Sequence, residues 1–180
     1  MRSQLLVNIR RGFLVVVVFF VILGLAYPLA ELGIGQALFH SQANGSITAN
    51  GSTLIGQKWT GAQWFHGRPT AYDPMATGGT NLGPRSKTLV ADTKKQIAQL
   101  KKEGITPTSD LVTTSGSGVD PDITAVDAYA QVGAVAKARG LSPATVHHLV
   151  DTHINQAQWG FLGSSYINVL ELNEALAKLS

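Results

Sequence analysis

The sequence predicts an α+β domain, with more helix than strand, behind one N-terminal transmembrane helix. Two observations predict this fold class. An uncharged apolar run occupies residues 13–30, and helical periodicities bounded by capping residues fill the second half of the chain. With 180 residues, the chain has room for one domain of ordinary size besides the anchor.

The apolar N-terminal segment is predicted to span a membrane. Residues 13–30 carry no charge, and apolar character continues past Glu31 to Phe39. A bilayer core about 30 Å thick requires about 20 apolar residues in a helix. A lone spanning segment must be helical, because unpaired backbone groups are costly in hydrocarbon. We therefore expect a transmembrane helix over residues 13–39, between an N-terminus of residues 1–12 and a domain of residues 40–180.

Charge predicts the orientation of this helix. Arg2, Arg10 and Arg11 precede the apolar run, and no further Lys or Arg follows until Lys58. The positive-inside bias then places the N-terminus in the cytoplasm and makes the domain extracytoplasmic.

A cleaved secretory signal peptide is the alternative interpretation of the same segment. Its pattern is a basic start, a short apolar core and a small-residue cleavage site. Gly24-Leu25-Ala26 and Pro28-Leu29-Ala30 match such a site poorly. The apolar run is also longer than a typical signal core, which favours a retained anchor.

Composition excludes several classes of function. The chain has 14 basic and 11 acidic residues, but from residue 40 onward the two signs nearly cancel. A clustered basic surface of the kind that binds nucleic acid is therefore not expected. The chain has no cysteine, which excludes disulfides, cysteine nucleophiles and thiolate metal sites.

Strand signals come first in the predicted domain. Asn50-Gly51 is a two-residue hairpin signal within residues 46–55, and the aromatic-rich residues 57–65 are predicted as a further strand. Residues 66–84 are rich in Gly, Pro, Thr, Asn and Asp and show little periodicity. Ordered loops of this length are uncommon and often functional.

Helices are predicted after this loop. The periodic apolar run that begins at Leu89 predicts a helix that ends before Gly104. A further helix is predicted with Asp120 as its N-cap and Pro121 as its first helical residue, and it ends near Arg139.

Two more helices are predicted near the C-terminus. Gly140 follows the preceding helix, and Ser142-Pro143 begins a helix that extends to about His153. Asn168 with Glu171 resembles a capping box before a last helix.

No motif in the chain predicts catalysis, a metal site or a bound cofactor. GGTNLG at residues 78–83 has P-loop glycine spacing, but Pro84 stands where the phosphate-binding lysine belongs. SGSG at residues 115–118 precedes a predicted helix and could hold an anion there, although tight turning explains its glycines better. The cluster of His147, His148, Asp151 and His153 lacks the HExxH spacing of a zinc protease.

Three blocks of sequence carry a resemblance to a known family. Residues 64–84 read WFHGRPTAYDPMATGGTNLGP, residues 110–121 read DLVTTSGSGVDP, and residues 160–176 read GFLGSSYINVLELNEAL. In this order, after one N-terminal transmembrane helix, they resemble the signature blocks of the C subunit of the Kdp potassium-transporting P-type ATPases. The resemblance extends over nearly the whole chain. Ser164 departs from it, since the family commonly has Glu after Phe-Leu-Gly.

The resemblance implies an accessory, complex-stabilising subunit of a high-affinity potassium pump in the inner membrane. Its implied partners are a potassium-filter subunit, a catalytic subunit with a phosphorylated aspartate, and membrane lipid; ATP and magnesium are used by the complex. The family is thought to assist assembly and has been linked to ATP binding by the complex. The predicted topology turns the domain away from cytoplasmic ATP, which favours a stabilising role. The chain itself has no DKTGT phosphorylation motif and no second hydrophobic span, so we expect a non-catalytic subunit.

Residues 64–84 are the predicted partner-binding loop. Trp64, Phe65, Arg68 and Tyr72 are of the residue types that dominate interface energetics, although Trp64 and Phe65 could equally pack the domain core.

Two other classes of function stay open. One is a membrane-tethered extracytoplasmic hydrolase that uses a Ser and a His. The other is a free-standing ligand-binding module in which the GGTNLG and SGSG loops meet at one pocket.

Protease added to intact spheroplasts should digest the domain beyond His40, because we expect it to lie outside the membrane. Immunoblots against tags at both ends measure this. The C-terminal tag should be lost while the N-terminal tag stays protected, and lysed spheroplasts serve as the control in which both are lost. Full protection of the domain, or a mature N-terminus near residue 27 or 31, would contradict the predicted topology.

Overall fold

A computed structural model describes residues 2–70 and 72–179 of the chain. Two positions named above lie outside the described residues. They are Ala71, in the predicted binding loop, and the side chain of Arg2, one of the arginines that predict the orientation of the apolar helix. The chain divides into two compact units, Met1–Ser46 and Ile47–Ser180.

The first unit is helical. Helix α1, Arg2–Phe19, continues as a π-helical segment, Phe20–Ala26, and then as α2, Tyr27–Leu38; a short helix α3, His40–Ala43, follows. Together, Gln4–Leu38 is long and apolar enough to cross a membrane. The predicted N-terminal apolar helix is thereby confirmed, while its orientation stays a prediction.

The second unit is a mixed domain with far more helix than strand. This confirms the predicted excess of helix over strand. The described helices and strands of the domain are α4 Lys87–Lys102, α5 Ser109–Val112, β1 Asp122–Ile123, α6 Ala125–Arg139, α7 Pro143–Thr152, β2 Ile167–Asn168 and α8 Val169–Ala177.

The two short strands form an antiparallel pair, with Asp122 opposite Asn168. This pairing makes the predicted N-cap at Asp120 wrong. The chain must stay extended through β1, so α6 begins later, and Thr124 is its N-cap in a capping box with Asp127. The SGSG loop therefore does not adjoin a helix N-terminus, which removes the basis for an anion site there.

The predicted N-terminal strands are also wrong. Within the described residues, residues 46–55 contain only an isolated bridge between Ile47 and Ser52, and residues 57–65 form no strand. A lone hairpin of this length is marginal in water. Its chain instead bonds to helix α8, where the Glu174 carboxylate accepts from the Thr48 hydroxyl at 2.7 Å.

Helix ends agree better with prediction. Helix α6 ends at Arg139, and Gly140 takes the left-handed conformation typical of a helix C-terminus. The Ser142 and Asn168 side chains accept from backbone N–H groups in the first turns of α7 and α8. These helices are confirmed at the predicted positions because their capping signals are local.

The main core lies where helices α6, α7 and α8 and the strand pair meet. Phe65 is the largest side chain in it and is fully buried. A smaller cluster under α4 and α5 is formed by Leu100, Ile105, Leu111 and Ala134. The other buried members of the main cluster are Ile123, Ala128, Val132, Val135, Ala136, Val146, Val150, Ile167, Val169, Leu172 and Leu176.

Two buried side-chain amides hold the segment that contains Phe65. The Phe65 N–H donates to Asn173 Oδ1 at 2.9 Å, and Asn173 Nδ2 donates back to the Phe65 carbonyl at 2.9 Å. In the same way, the His66 N–H donates to Gln131 Oε1 at 2.7 Å, and Gln131 Nε2 donates to the His66 carbonyl at 3.1 Å. These bonds reproduce the pattern of a β-ladder without a neighbouring strand.

Asn173→Ala should lower the free energy of unfolding of residues 47–180 by about 3 kcal/mol. The change leaves the Phe65 N–H and carbonyl buried without partners, and each such group costs about 1–3 kcal/mol. Urea denaturation measures the loss. Asn155→Ala, at an exposed position, is the matched control and should stay within about 0.5 kcal/mol of wild type. We call the paired bonds of Asn173 and Gln131 to residues 65 and 66 the amide clamp. Equal effects of the two substitutions would show that the Asn173 part of this clamp contributes no stability.

Candidate functional site

The predicted binding loop begins inside the domain. Phe65 is fully buried, and Trp64 is half-buried against Trp59, with ring centroids 4.9 Å apart. The Arg139 guanidinium lies 4.4 Å from the centroid of the Trp64 ring, a cation–π contact. The structure therefore places these two predicted site residues in the packing that supports the loop.

Arg68 ties this loop to the segment that contains the SGSG motif. Its Nη2 donates to the Thr114 carbonyl at 3.0 Å and its Nε to the Thr113 carbonyl at 3.3 Å. Its Nη1 lies 3.9 Å from a carboxylate oxygen of Asp120. The guanidinium is thus occupied mainly by neighbours within the domain.

Tyr72 lies directly beside Arg68. Its hydroxyl donates to the Arg68 carbonyl at 2.5 Å, and its backbone has a φ of +53°, which is uncommon for a residue other than glycine. Burial, followed by the nearby Asp120 carboxylate, raises the pKa of the Tyr72 phenol to about 12. The phenol therefore stays protonated and acts as a hydrogen-bond donor at neutral pH.

The GGTNLG and SGSG loops do meet in the structure. The Gly78 N–H donates to the Ser117 carbonyl at 2.6 Å, and the Thr70 hydroxyl donates to the Gly118 carbonyl. Gly118 has a φ of +72°, and a Cβ atom there would lie 2.6 Å from the Gly78 carbonyl oxygen. Only glycine allows this close contact.

Two hollows lie along the joined loops and helix α4. The smaller, about 270 Å³, is bordered by Thr80, Leu82 and Thr114, and is below the usual size of a small-molecule pocket. The larger, about 510 Å³, is polar and includes Lys58, Trp59, Thr60, Gly61, His66, Gly67, Arg68, Pro69, Thr70, Tyr72, Lys95, Gln96, Gln99, Leu100 and Glu103.

The larger hollow contains two enclosed side-chain nitrogens without hydrogen-bond partners among the described residues. His66 Nε2 lies 3.5 Å from Glu103 Oε2 without forming a hydrogen bond, and the Trp59 indole N–H also has no partner among the described residues. Both nitrogens are enclosed. Across the described residues, no group of three or more His, Asp or Glu side chains is placed to hold a metal ion.

The histidine cluster on helix α7 forms a surface network. Asp151 accepts from the Tyr129 hydroxyl at 2.6 Å and lies 3.1 Å from His147 Nδ1. The Tyr129 and His147 rings stack with centroids 4.6 Å apart. His147 is thus paired with a carboxylate, and the network offers no serine nucleophile for the hydrolase alternative.

The strongest perturbation of a carboxyl group lies beside the SGSG segment, at Asp122. Burial, and then the Asp120 and Glu171 carboxylates, raise its pKa to about 6, although Asn168 Nδ2 donates a hydrogen bond to it at 3.2 Å. Asp122 therefore holds a proton over a pH range in which an exposed aspartate is ionised.

Sequence reasoning missed most of the partners that fix the site. Gln131 and Asn173 lie within apolar helical runs, where a lone amide gives a weak signal for a buried role. The sequence favours Asp120 as a helix cap and gives no signal for a role of Thr113 or Thr114. The signal that could have found the two amides is their position on the buried face of α6 and α8.

The chain matches the family described as K+-transporting ATPase, c chain, over residues 9–178. The match therefore includes both the apolar helix and almost the whole domain.

Named relatives are similar along 92–100% of their length. The potassium-transporting ATPase KdpC subunit of Caulobacter vibrioides is 44% identical over 184 residues, which cover 96% of this chain and 93% of that protein. The protein of the same name from Koribacter versatilis is also 44% identical, with 92% of each chain covered. Its counterpart from Mycobacterium bovis is 41% identical, with 99% of this chain and 100% of that protein covered.

The raised pKa of Asp122 predicts a pH-dependent stability. The folded domain binds this proton more tightly than the unfolded chain, so the free energy of unfolding should fall as the pH rises from about 4 to about 6. Because the carboxyl is only half-buried, we expect a fall of about 1 kcal/mol. Asp122→Asn should remove this fall and be more stable than wild type at pH 7.

Urea denaturation of residues 47–180 at pH 4, 5, 6 and 7 measures this effect. Asp92→Asn, which changes an exposed carboxylate on α4, is the matched control and should leave the fall in place. An unchanged slope in Asp122→Asn would show that another group is responsible.

Proposed function

Because the chain belongs to the family of the c chain of K+-transporting ATPases, we propose that it is an accessory, complex-stabilising subunit of a high-affinity, ATP-driven potassium uptake pump. Family membership confirms the resemblance drawn from three blocks of sequence. The observation that carries the proposal is the extent of the match, residues 9–178, because it includes the apolar helix as well as the domain. The proposed role is to assist assembly and to stabilise the complex.

In this proposal the chain is a non-catalytic subunit. It contains no DKTGT phosphorylation motif, which supports this role. One apolar helix cannot enclose a path for potassium by itself. The proposed partners are therefore a potassium-filter subunit and a catalytic subunit that carries the phosphorylated aspartate.

The proposed location is the inner membrane. The N-terminus, residues 1–12, lies in the cytoplasm, residues 13–39 span the bilayer, and residues 40–180 are extracytoplasmic. The N-terminal arginines support this orientation. With the domain outside, any effect on ATP binding by the catalytic subunit is indirect, through the stability of the complex.

We place the proposed partner surface on the loop of residues 64–84. Phe65 and Trp64 support the loop from within the domain, and Arg68 and Tyr72 fix its path through internal hydrogen bonds. Residues 73–78 are exposed, and Met75 at their centre is 92% exposed. We therefore expect this stretch to contact the potassium-filter subunit.

Affinity purification of the tagged full chain in mild detergent tests the proposed function. Both partner subunits should be recovered with the chain from cells that express the whole pump. A chain that is consistently recovered alone, in the membrane fraction and fully folded, would contradict the proposal and would favour a free-standing module.

Met75→Asp should weaken recovery of the complex several-fold without changing the thermal melt of the domain. It introduces a charge on an exposed side chain that the proposal places in an interface. Val126→Asp, at another exposed apolar residue, is the matched control and should leave recovery unchanged. Arg68→Ala combined with Tyr72→Ala should reduce both recovery and the melt, since it removes bonds that hold the loop. Normal recovery with Met75→Asp would exclude this stretch as the docking surface.

A further inference from the structure

A short hairpin, residues 155–166, projects between helix α7 and strand β2. Its base is closed by two backbone bonds between Asn155 and Tyr166, of 2.8 and 3.0 Å. Its tip is closed by two more between Gln158 and Leu162, both 2.9 Å. Backbone bonds therefore close the hairpin at both its base and its tip.

The tip displays large apolar side chains to solvent. Trp159 is 78% exposed and Phe161 is 73% exposed, and their ring centroids are 6.4 Å apart. Leu162 adds a further exposed apolar side chain. Contiguous apolar side chains on a protein surface are typical of sites that contact another protein or a membrane.

The backbone at the tip is strained to present these rings. Trp159 has a φ of +54°, a left-handed conformation that is costly for a bulky residue. Such strain persists where the surrounding structure enforces it and is common at functional positions. The hairpin tip therefore combines exposed aromatic rings with a strained backbone at Trp159.

The hairpin carries no charge. Residues 154–170 contain no Asp, Glu, Lys or Arg. A protein surface in water normally mixes charges among its apolar groups. An uncharged tip can enter a poorly hydrated environment without desolvating an ion.

The base of the hairpin adjoins the first segment of the domain. Asn168 Nδ2, just beyond the hairpin, donates to the Thr53 carbonyl at 2.9 Å. Leu54, Asn155 and Tyr166 border one hollow of about 450 Å³. In the sequence, this first segment follows the apolar helix after the short helix α3. The hairpin base therefore lies against the segment of the domain that comes first after the apolar helix in the sequence.

We propose that the hairpin tip inserts into the interfacial layer of the bilayer that the chain's own helix spans. Trp159 and Phe161 would lie at the boundary between headgroups and acyl chains, where aromatic side chains concentrate and where interfacial elements are buried by about 5–10 Å. This inference rests on the retained anchor of the proposed function and is independent of partner docking. Asp122 and Glu171 near the hairpin base disfavour anionic lipid, so insertion should be strongest in zwitterionic bilayers.

The absence of cysteine from the chain allows a direct test. Phe161→Cys, labelled with an environment-sensitive fluorophore, reports on the tip in the full-length chain in phosphatidylcholine nanodiscs without partner subunits. Its emission should shift to shorter wavelengths and be quenched by nitroxide-labelled lipid. Met75→Cys, at the exposed apolar residue of a different loop, is the matched control and should show neither effect. Nanodiscs that contain anionic phosphatidylglycerol should give a smaller shift.

A second substitution separates insertion from folding. Trp159→Asn removes the indole and suits the left-handed backbone, since asparagine tolerates positive φ. Combined with the Phe161→Cys probe, it should leave the thermal melt equal or higher and reduce both the shift and the quenching. A loss of both signals without a loss of stability would support the role of the Trp159 ring in insertion.

Other results would overturn the inference. If the chain remains with the nanodiscs but the Phe161→Cys emission equals that of Met75→Cys, the tip lies in water. An emission shift that arises only after partner subunits are added would show that the tip binds a protein pocket. An emission shift that depends on the concentration of the chain would show that the tip binds a second copy of the chain. Loss of the chain from the nanodiscs would instead overturn the retained anchor on which the inference rests.

Discussion

The backbone of Phe65 and His66 crosses the domain without a strand beside it, and the amides of Asn173 and Gln131 take the place of that strand. Each amide accepts from one backbone N–H and donates to the carbonyl of the same residue. Because Asn173 belongs to α8 and Gln131 to α6, the bonds that satisfy the loop also connect it to two core helices. A buried polar contact that is only half made is costly, so the loop's conformation and the helix packing depend on each other.

From this clamp, a chain of contacts extends outward to the surface. Arg68 and Thr70 bond the same loop to the segment of residues 113–120, and Gly78 bonds to Ser117 farther along. These bonds occupy several polar groups of the two loops. In the described part of the loop, residues 73–78 are exposed. This exposed stretch is the part of the loop that the proposal assigns to a partner.

The parts of the fold that could be predicted are those encoded by neighbouring residues. Ser142 and Asn168 accept from N–H groups three positions along the chain, so the sequence around each cap contains the whole interaction. The amide of Asn173 meets Phe65 across 108 positions, and that of Gln131 meets His66 across 65. No local pattern contains these contacts. The misplaced start of α6 has the same origin, because Asp122 is held extended by Asn168, far along the chain.

The three blocks of sequence that suggested the family also acquire a physical explanation. The first two form the joined loops, and the third contains part of the aromatic hairpin, β2 and the clamp residue Asn173. Ser164 is the position where the third block departs from the resemblance described above. A carboxylate there would stand two positions from Leu162 and would oppose transfer of the tip into a poorly hydrated layer. Serine leaves residues 154–170 without charge. An uncharged residue at this position is therefore compatible with the proposed lipid contact at the hairpin, and Asn168 and Asn173 connect the rest of the third block to the domain.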